Sequence, residues 1–266
     1  MGSEQGVRAH YTHGSLLAAI ADALASVGIN IDVATVADLA PIDHFHGRGL
    51  AATEELLGLL ELGPDSAVLD AGCGIGGPAR YVADRFDCRV TGIDLTEEFC
   101  NVARRLNAIV GLDDRITIEI GSASDLPFAD ESFDAAYSQN VSMNIADKGR
   151  FYGEIFRVLK PGGVAAFAEI ARGDGDDPVY PVPWSSDGSN SFLQSPDAAR
   201  DALAAAGFEI LSWRDHSETV ISANQAQRAQ IARHGPPKLG PHILMGADAR
   251  EKMRNSAANV EHGRVR

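Results

Sequence analysis

Cysteine is scarce in this sequence: Cys73, Cys88 and Cys100 are the only three among 266 residues. They form no CxxC pair and have no His at ligand spacing, so neither a disulfide framework nor a zinc site is indicated, and a reducing cytoplasm is expected. Aromatic residues are few, at 6%. No apolar run approaches the roughly 18 residues a membrane span needs, and the opening MGSEQGVRAH lacks the apolar core of a secretory signal. Positive charge is in deficit: 23 Lys and Arg face 37 Asp and Glu, a formal net charge of −14. That surface repels phosphate backbones and anionic headgroups, so nucleic acid and membrane are not expected as partners.

What is present is ordinary globular material, with 45% apolar and 23% charged residues, 27 Gly and 12 Pro. At roughly 150 residues per domain, the length suits one large domain with an added lid. Leu16, Leu17, Ile20, Leu24 and Val27 recur at helical spacing before Gly28, and a second helix is expected from about 50 to 60, with an irregular stretch at 33–45 between them. From Ala67 to Ile170 short apolar runs (AVLD, RVTGID, ITIEI, FDAAYS, VAAFAEI) alternate with helical segments, the pattern of βαβ units around a parallel sheet. Residues 174–190 read as a loop, Ser195-Pro196 as the cap of a helix ending at Gly207, FEILSW as a sixth strand, and 216–266 as a helical cover broken at Gly235-Pro236-Pro237.

The densest chemical signal is Val68-Leu69-Asp70-Ala71-Gly72-Cys73-Gly74-Ile75-Gly76-Gly77, a buried strand running into a glycine turn that opens a helix. Twenty residues after Gly74, Asp94 closes the second strand, where its carboxylate can accept both hydroxyls of a ribose. The two features outline a nucleoside pocket at the carboxyl end of the sheet. Residues 72–77 also satisfy G-x-G-x-x-G, so a nicotinamide-dependent oxidoreductase has to be weighed. Asp70 opposes it: a carboxylate at that turn repels a pyrophosphate and suits a cationic amine.

VLDAGCGIGG, GIDLT, GSASDLPFADESFDAAYS and RVLKPGG, in this order, resemble the successive motifs of class I S-adenosylmethionine-dependent methyltransferases over about residues 44–215. The resemblance implies an α/β fold: a Rossmann-like, doubly wound, mostly parallel sheet with helices on both faces. It implies S-adenosyl-L-methionine as cofactor and S-adenosyl-L-homocysteine as product. Asp70, Gly72, Cys73, Gly74 and Gly76 would hold the methionine end, Asp94 and Leu95 the ribose and adenine, Ser122 and Ala123 the adenine, and Gln139 and Asn140 the surroundings of the sulfonium. Members often carry Asp where this chain has Ser122, which weakens the adenine amino contact or moves it to Ser124 or Asp125.

The segment Asp43 to Thr53 (DHFHGRGLAAT) and Ser138 to Asn144 (SQNVSMN) resemble the small-molecule enzymes of the class that act on sarcosine, dimethylglycine, phosphoethanolamine or tocopherol. Asn144 stands where the phosphoethanolamine branch has His. Tyr180 to Trp184 (YPVPW) with Ser191 to Leu193 (SFL) resembles a large bacterial group in the class. The expected activity is methyl transfer to a small-molecule acceptor, nitrogen slightly preferred over oxygen or carbon, with a non-catalytic S-adenosylmethionine sensor as the alternative. His46, Tyr11 and Asn144 are the candidate catalytic residues; His46 is the base within reach, Tyr11 a lid residue, and no metal is expected. Tyr180, Trp184, Phe192 and Trp213 could form an aromatic wall for a cationic amine or simply belong to the core. The division expected is a helical lid (1–49), a cofactor-binding core (50–215) and a helical cover (216–266). The seventh strand is expected to be short or missing through truncation, leaving a sheet edge open to a homodimer.

Overall fold

A computed structural model describes residues 2–266. Its centre is a five-stranded sheet in the order β3-β2-β1-β4-β5, with every adjacent pair parallel. The strands are β1 (Ala67–Ala71), β2 (Arg89–Asp94), β3 (Ile116–Ile120), β4 (Phe133–Gln139) and β5 (Leu159–Ala168). Side chains alternate between the two faces of a strand. In β1, Val68 joins a core with Val90, Ile118 and Tyr137, whereas Leu69 and Ala71 join one with Ile93, Phe151 and Ile155 on the opposite face. A strand apolar on both faces can exist only between two layers of helices, which is what the βαβ alternation implied.

The helices in chain order are α1 (Gly2–Tyr11), α2 (Leu16–Ala25), α3 (Val36–Asp43), α4 (Leu50–Leu57), α5 (Gly77–Phe86), α6 (Glu97–Ile109), α7 (Lys148–Val158), α8 (Pro196–Ala205), α9 (Ser217–His234) and α10 (Ala249–Glu261). Ser195 caps α8 by accepting from the Ala198 N–H, as its position before Pro196 foretold. The order 3-2-1 then 1-4-5 reverses the winding beside β1. Ligands bind at such a switch point, outside the carboxyl ends of the strands.

Two sequence expectations are corrected. The stretch 33–45 contains the helix α3, started by a reciprocal cap in which Thr35 Oγ1 accepts from the Asp38 N–H at 3.2 Å and Asp38 Oδ2 from the Thr35 N–H at 2.9 Å. The T-x-x-D signal was present but lies in a segment too short to show helical periodicity. FEILSW forms no strand; Phe208 packs on Phe156 and Phe167, and the residues after it run unpaired with Leu211 76% exposed, because no neighbouring strand supplies hydrogen bonds. Of the two readings open for the aromatics, core holds for Trp184 and for Tyr180 packed against it. Trp184 is buried with Met143 and Val182, while Trp213 lies on the surface with the Arg200 guanidinium 4.4 Å from its ring centre. Among the described residues β5 is an edge of the sheet, and just beyond it Arg172 and Val265 make one antiparallel bridge.

The N-terminal segment is pinned to the sheet through a buried ion pair. Arg80 of α5 is fully buried; Nε and Nη2 donate to the two carboxylate oxygens of Asp43 at 3.0 and 2.5 Å, Nη1 to Asn107 Oδ1 at 2.8 Å and Nη2 to the Ile75 carbonyl at 2.8 Å. Removing one partner strands the other charge in the interior, at a cost of about 3–5 kcal/mol. Arg80→Met should therefore lower the unfolding free energy in urea by that amount, and the double change Arg80→Met/Asp43→Leu should recover most of it; an Arg80→Met protein as stable as wild type would contradict the role of this pair.

Candidate active site

The turn after β1 is shaped by glycine. Gly72 and Gly76 have φ of 86° and 79°, left-handed values that L side chains resist. A Cβ on Gly72 would lie 2.2 Å from Val141 Cγ2, so the turn is seated against the segment that follows β4. The Gly72 and Cys73 N–H groups donate to the Ile93 carbonyl at 2.8 and 3.0 Å, and Gly74 N–H to Asp94 Oδ2 at 2.9 Å. The ends of β1 and β2 are thereby locked together. Asp94 Oδ1 also accepts from the Thr96 N–H at 2.8 Å.

Over these ends lies a cavity of about 550 Å³. Every residue expected on the cofactor lines it except Gly76: Asp70, Gly72, Cys73, Gly74, Asp94, Leu95, Ser122, Ala123, Gln139 and Asn140. Gly76 instead caps α5, where an added Cβ would come within 3.1 Å of Arg80 and 3.2 Å of Ala103; it serves helix packing. The three catalytic candidates, Tyr11, His46 and Asn144, line the same cavity. Helix α1 covers it, held by Ser122 Oγ donating to Glu4 Oε1 at 2.7 Å and Tyr11 Oη donating to Asn144 Oδ1 at 3.1 Å. Both N–H groups of Asn144 are spent on the carbonyls of Trp184 and Asn190, each at 2.9 Å, so its amide orients Tyr11 and has no donor left over.

The electrostatics of the cavity follow from burial. Asp70 is buried at the floor, and desolvation pushes its carboxyl up to about 7; the Asp94 charge adds to this, and the Tyr137 hydroxyl, donating at 2.9 Å, opposes it. Asp94 is raised by burial as well, against the N–H bonds of Thr96 and Gly74. His44 and His46 are both brought down to about 4, chiefly by burial, and are neutral at pH 7. Thr53 Oγ1 sits 3.0 Å from His44 Nδ1, 3.0 Å from His46 Nε2 and 3.3 Å from Gln139 Oε1. A hydroxyl has one proton and two lone pairs, so this one group fixes which ring nitrogens carry hydrogen.

Sequence reasoning missed Thr53 as a member of this network, although it ends the DHFHGRGLAAT segment. It also missed Glu4, whose place over Ser122 follows from the path of α1 and from no local pattern. The HxH pair, with ring centres 5.8 Å apart, is occupied by Thr53, and among the described residues no group of three or more His, Cys, Asp or Glu is arranged to hold a metal. No helix of the described residues is long and apolar enough to cross a membrane.

Comparison with known proteins agrees with this geometry. Residues 69–167 match the model of a methyltransferase domain family. A sarcosine/dimethylglycine N-methyltransferase of Halorhodospira halochloris is 30% identical over 204 residues, covering 76% of this chain and 72% of that protein. A 24-methylenesterol C-methyltransferase 2 of Oryza sativa subsp. japonica is 35% identical over 168 residues, 61% of this chain and 46% of that protein, so the chain spans about half the length of that relative. The solved geranyl diphosphate C-methyltransferase of Streptomyces coelicolor A3(2) shares the fold, with a TM-score of 0.70, 18% identity, and 100% of this chain and 95% of that one covered. This chain belongs to the class I S-adenosylmethionine-dependent methyltransferases.

The residues present fit that cofactor. Two desolvated carboxylates, Asp70 and Asp94, sit beside a glycine turn whose Gly74 N–H bonds Asp94, an acceptor set that attracts an ammonium and ribose hydroxyls and repels a diphosphate. The Asp70 carboxyl also makes stability depend on pH. Its folded pKa lies above its unfolded one, so the contribution is present below pH 4 and is lost as pH rises to about 7. Asp70→Asn, which mimics the protonated form, should gain stability over wild type across that interval, by about 4 kcal/mol at most at pH 8. Urea unfolding of both proteins at several pH values measures this; curves that stay parallel would contradict it.

Proposed function

We propose that this chain transfers a methyl group from S-adenosylmethionine to a small-molecule acceptor, nitrogen being preferred over oxygen or carbon as the receiving atom. The observation that carries this reading is the pair of desolvated carboxylates, Asp70 and Asp94, beside the glycine turn. Asp70 with Gly72, Cys73 and Gly74 would bind the methionine end, Asp94 and Leu95 the ribose and adenine, Ser122 and Ala123 the adenine, and Gln139 and Asn140 the neighbourhood of the sulfur. Gly76 supports this set from outside the cavity. The bound cofactor supplies a methyl group already activated by its positive sulfur.

The protein's part is then to align the acceptor and exclude water, which can lower the barrier by about 7–11 kcal/mol. Tyr11 and His46 would face the acceptor, and Asn144 positions Tyr11. Burial raises the Tyr11 hydroxyl, so it remains protonated and acts as a hydrogen-bonding group, not as a base. His46 stays neutral and can receive a proton only as the new bond forms. An amine arriving as its free base needs no more than this. Residues 1–49 act as lid, 50–215 as core and 216–266 as cover in this reading. Three unpaired, buried cysteines support a cytoplasmic setting, the YPVPW and SFL segments a bacterial one, and the edge position of β5 a homodimer.

Calorimetric titration with S-adenosylmethionine, followed by transfer from labelled cofactor to a metabolite extract, tests the function; a folded protein that binds none of it would contradict the proposal. Asp94→Asn should weaken cofactor binding about 10- to 100-fold through loss of charged hydrogen bonds. Because His46 titrates near 4, the rate against pH should show no limb at 6.5, the ordinary histidine value, and such a limb removed by His46→Gln would show His46 working as a conventional base.

A further inference from the structure

The charges around the cavity are unevenly distributed. Besides Asp43, whose charge Arg80 balances, Glu4, Asp70, Asp94, Asp125 and Asp147 line it, against a single permanent cation among the described lining residues, Arg150. Arg150 is mostly exposed and donates to Asp125 at 2.7 Å. The other cations built around the cavity are spent inside the protein. Arg80 holds Asp43, Asn107 and the Ile75 carbonyl. Lys148 donates to the carbonyls of Ser142, Ile145 and Phe192, and Arg48 to Glu55 at 2.7 Å. Among the described residues, Arg150 is then the one lining cation, and it is already paired with Asp125.

The wall formed by Tyr11, Phe45, His46, Gln139 and Asn144 carries no charge at all. Tyr11 packs edge-on to Phe45 with ring centres 6.4 Å apart, and Gln139 is joined to His46 through Thr53. Its polar atoms offer a ligand hydrogen bonds from neutral groups only: the lone pairs of Tyr11 Oη, the Gln139 amide N–H and the neutral His46 ring. Burial keeps both imidazoles uncharged, so they do not supply the missing cation at neutral pH. A cleft lined by one sign of charge with apolar walls concentrates its field and rejects ligands of the same sign.

We propose that this end of the cavity excludes anions, and that the methyl acceptor carries no phosphate, sulfate or carboxylate group. The inference rests on the methyl-transfer reading for the word acceptor, but the exclusion is a property of the wall and is measured without turnover. Gln139→Cys places a thiol in that wall, and His46→Cys gives a second position should the first variant fold poorly. Each is treated, with S-adenosylhomocysteine present, with iodoacetamide and with iodoacetate, reagents of similar shape that differ in one negative charge. Peptide mass mapping separates the introduced thiol from Cys73, Cys88 and Cys100, which are buried.

The rate ratio of the neutral to the anionic reagent, divided by the same ratio for free cysteine, cancels the thiol's own ionisation. It should be at least fivefold. A value below fivefold in either folded variant overturns the proposal. Calorimetry of S-adenosylmethionine on the wild-type protein reports on the methyltransferase reading separately, so the two can fail independently.

Discussion

A carboxylate withdrawn from water is under tension that only a proton, a hydrogen-bond donor or a cation relieves, and two such groups stand within one turn of each other at the head of this sheet. Asp70 and Asp94 end neighbouring parallel strands whose backbones are in register, Asp70 opposite Gly92, so wherever the sheet forms the two charges are brought together. The turn after β1 adds N–H donors for Asp94 but leaves Asp70 only the Tyr137 hydroxyl. The remaining deficit of positive charge is what the cavity offers a ligand.

The cover over that cavity depends on a second charge problem with the opposite solution. Arg80 and Asp43 are buried as completely as Asp70, yet each supplies the other's counter-charge, and their bond fixes the end of α3 against the start of α5. The DHFHG segment begins at Asp43, so the imidazoles of His44 and His46 and the ring of Phe45 inherit their positions from this pair. Gly77 permits the approach: a Cβ there would meet the Asp43 carbonyl at 2.2 Å. One ion pair is closed within the fold and one pair of carboxylates is left open to ligand, and the difference between them separates scaffold from site.

The parts of this arrangement legible in the sequence are those whose cause is local. A glycine turn between strand and helix, and an acid at the end of the next strand, are each set by neighbours a few residues away, so Asp70, Gly72, Gly74 and Asp94 could be placed before any coordinates. Gly76 shows the limit of a motif: its left-handed turn was readable, but which side it faces depends on Arg80 and Ala103. FEILSW has strand composition and no strand, because a strand is a property of a pair and the partner is absent among the described residues. The contacts of Glu4 with Ser122 and of Thr53 with Gln139 join residues 118 and 86 positions apart, beyond the reach of any spacing rule.

With its carboxyl pushed up to about 7 by burial, Asp70 is largely protonated in the free protein at pH 6 and must give up that proton to accept a cationic amine. Calorimetry at that pH in two buffers of different ionisation enthalpy counts protons released per S-adenosylmethionine bound. The wild-type protein should release most of one proton and Asp70→Asn none. Equal release from both proteins, or none from either, would contradict it.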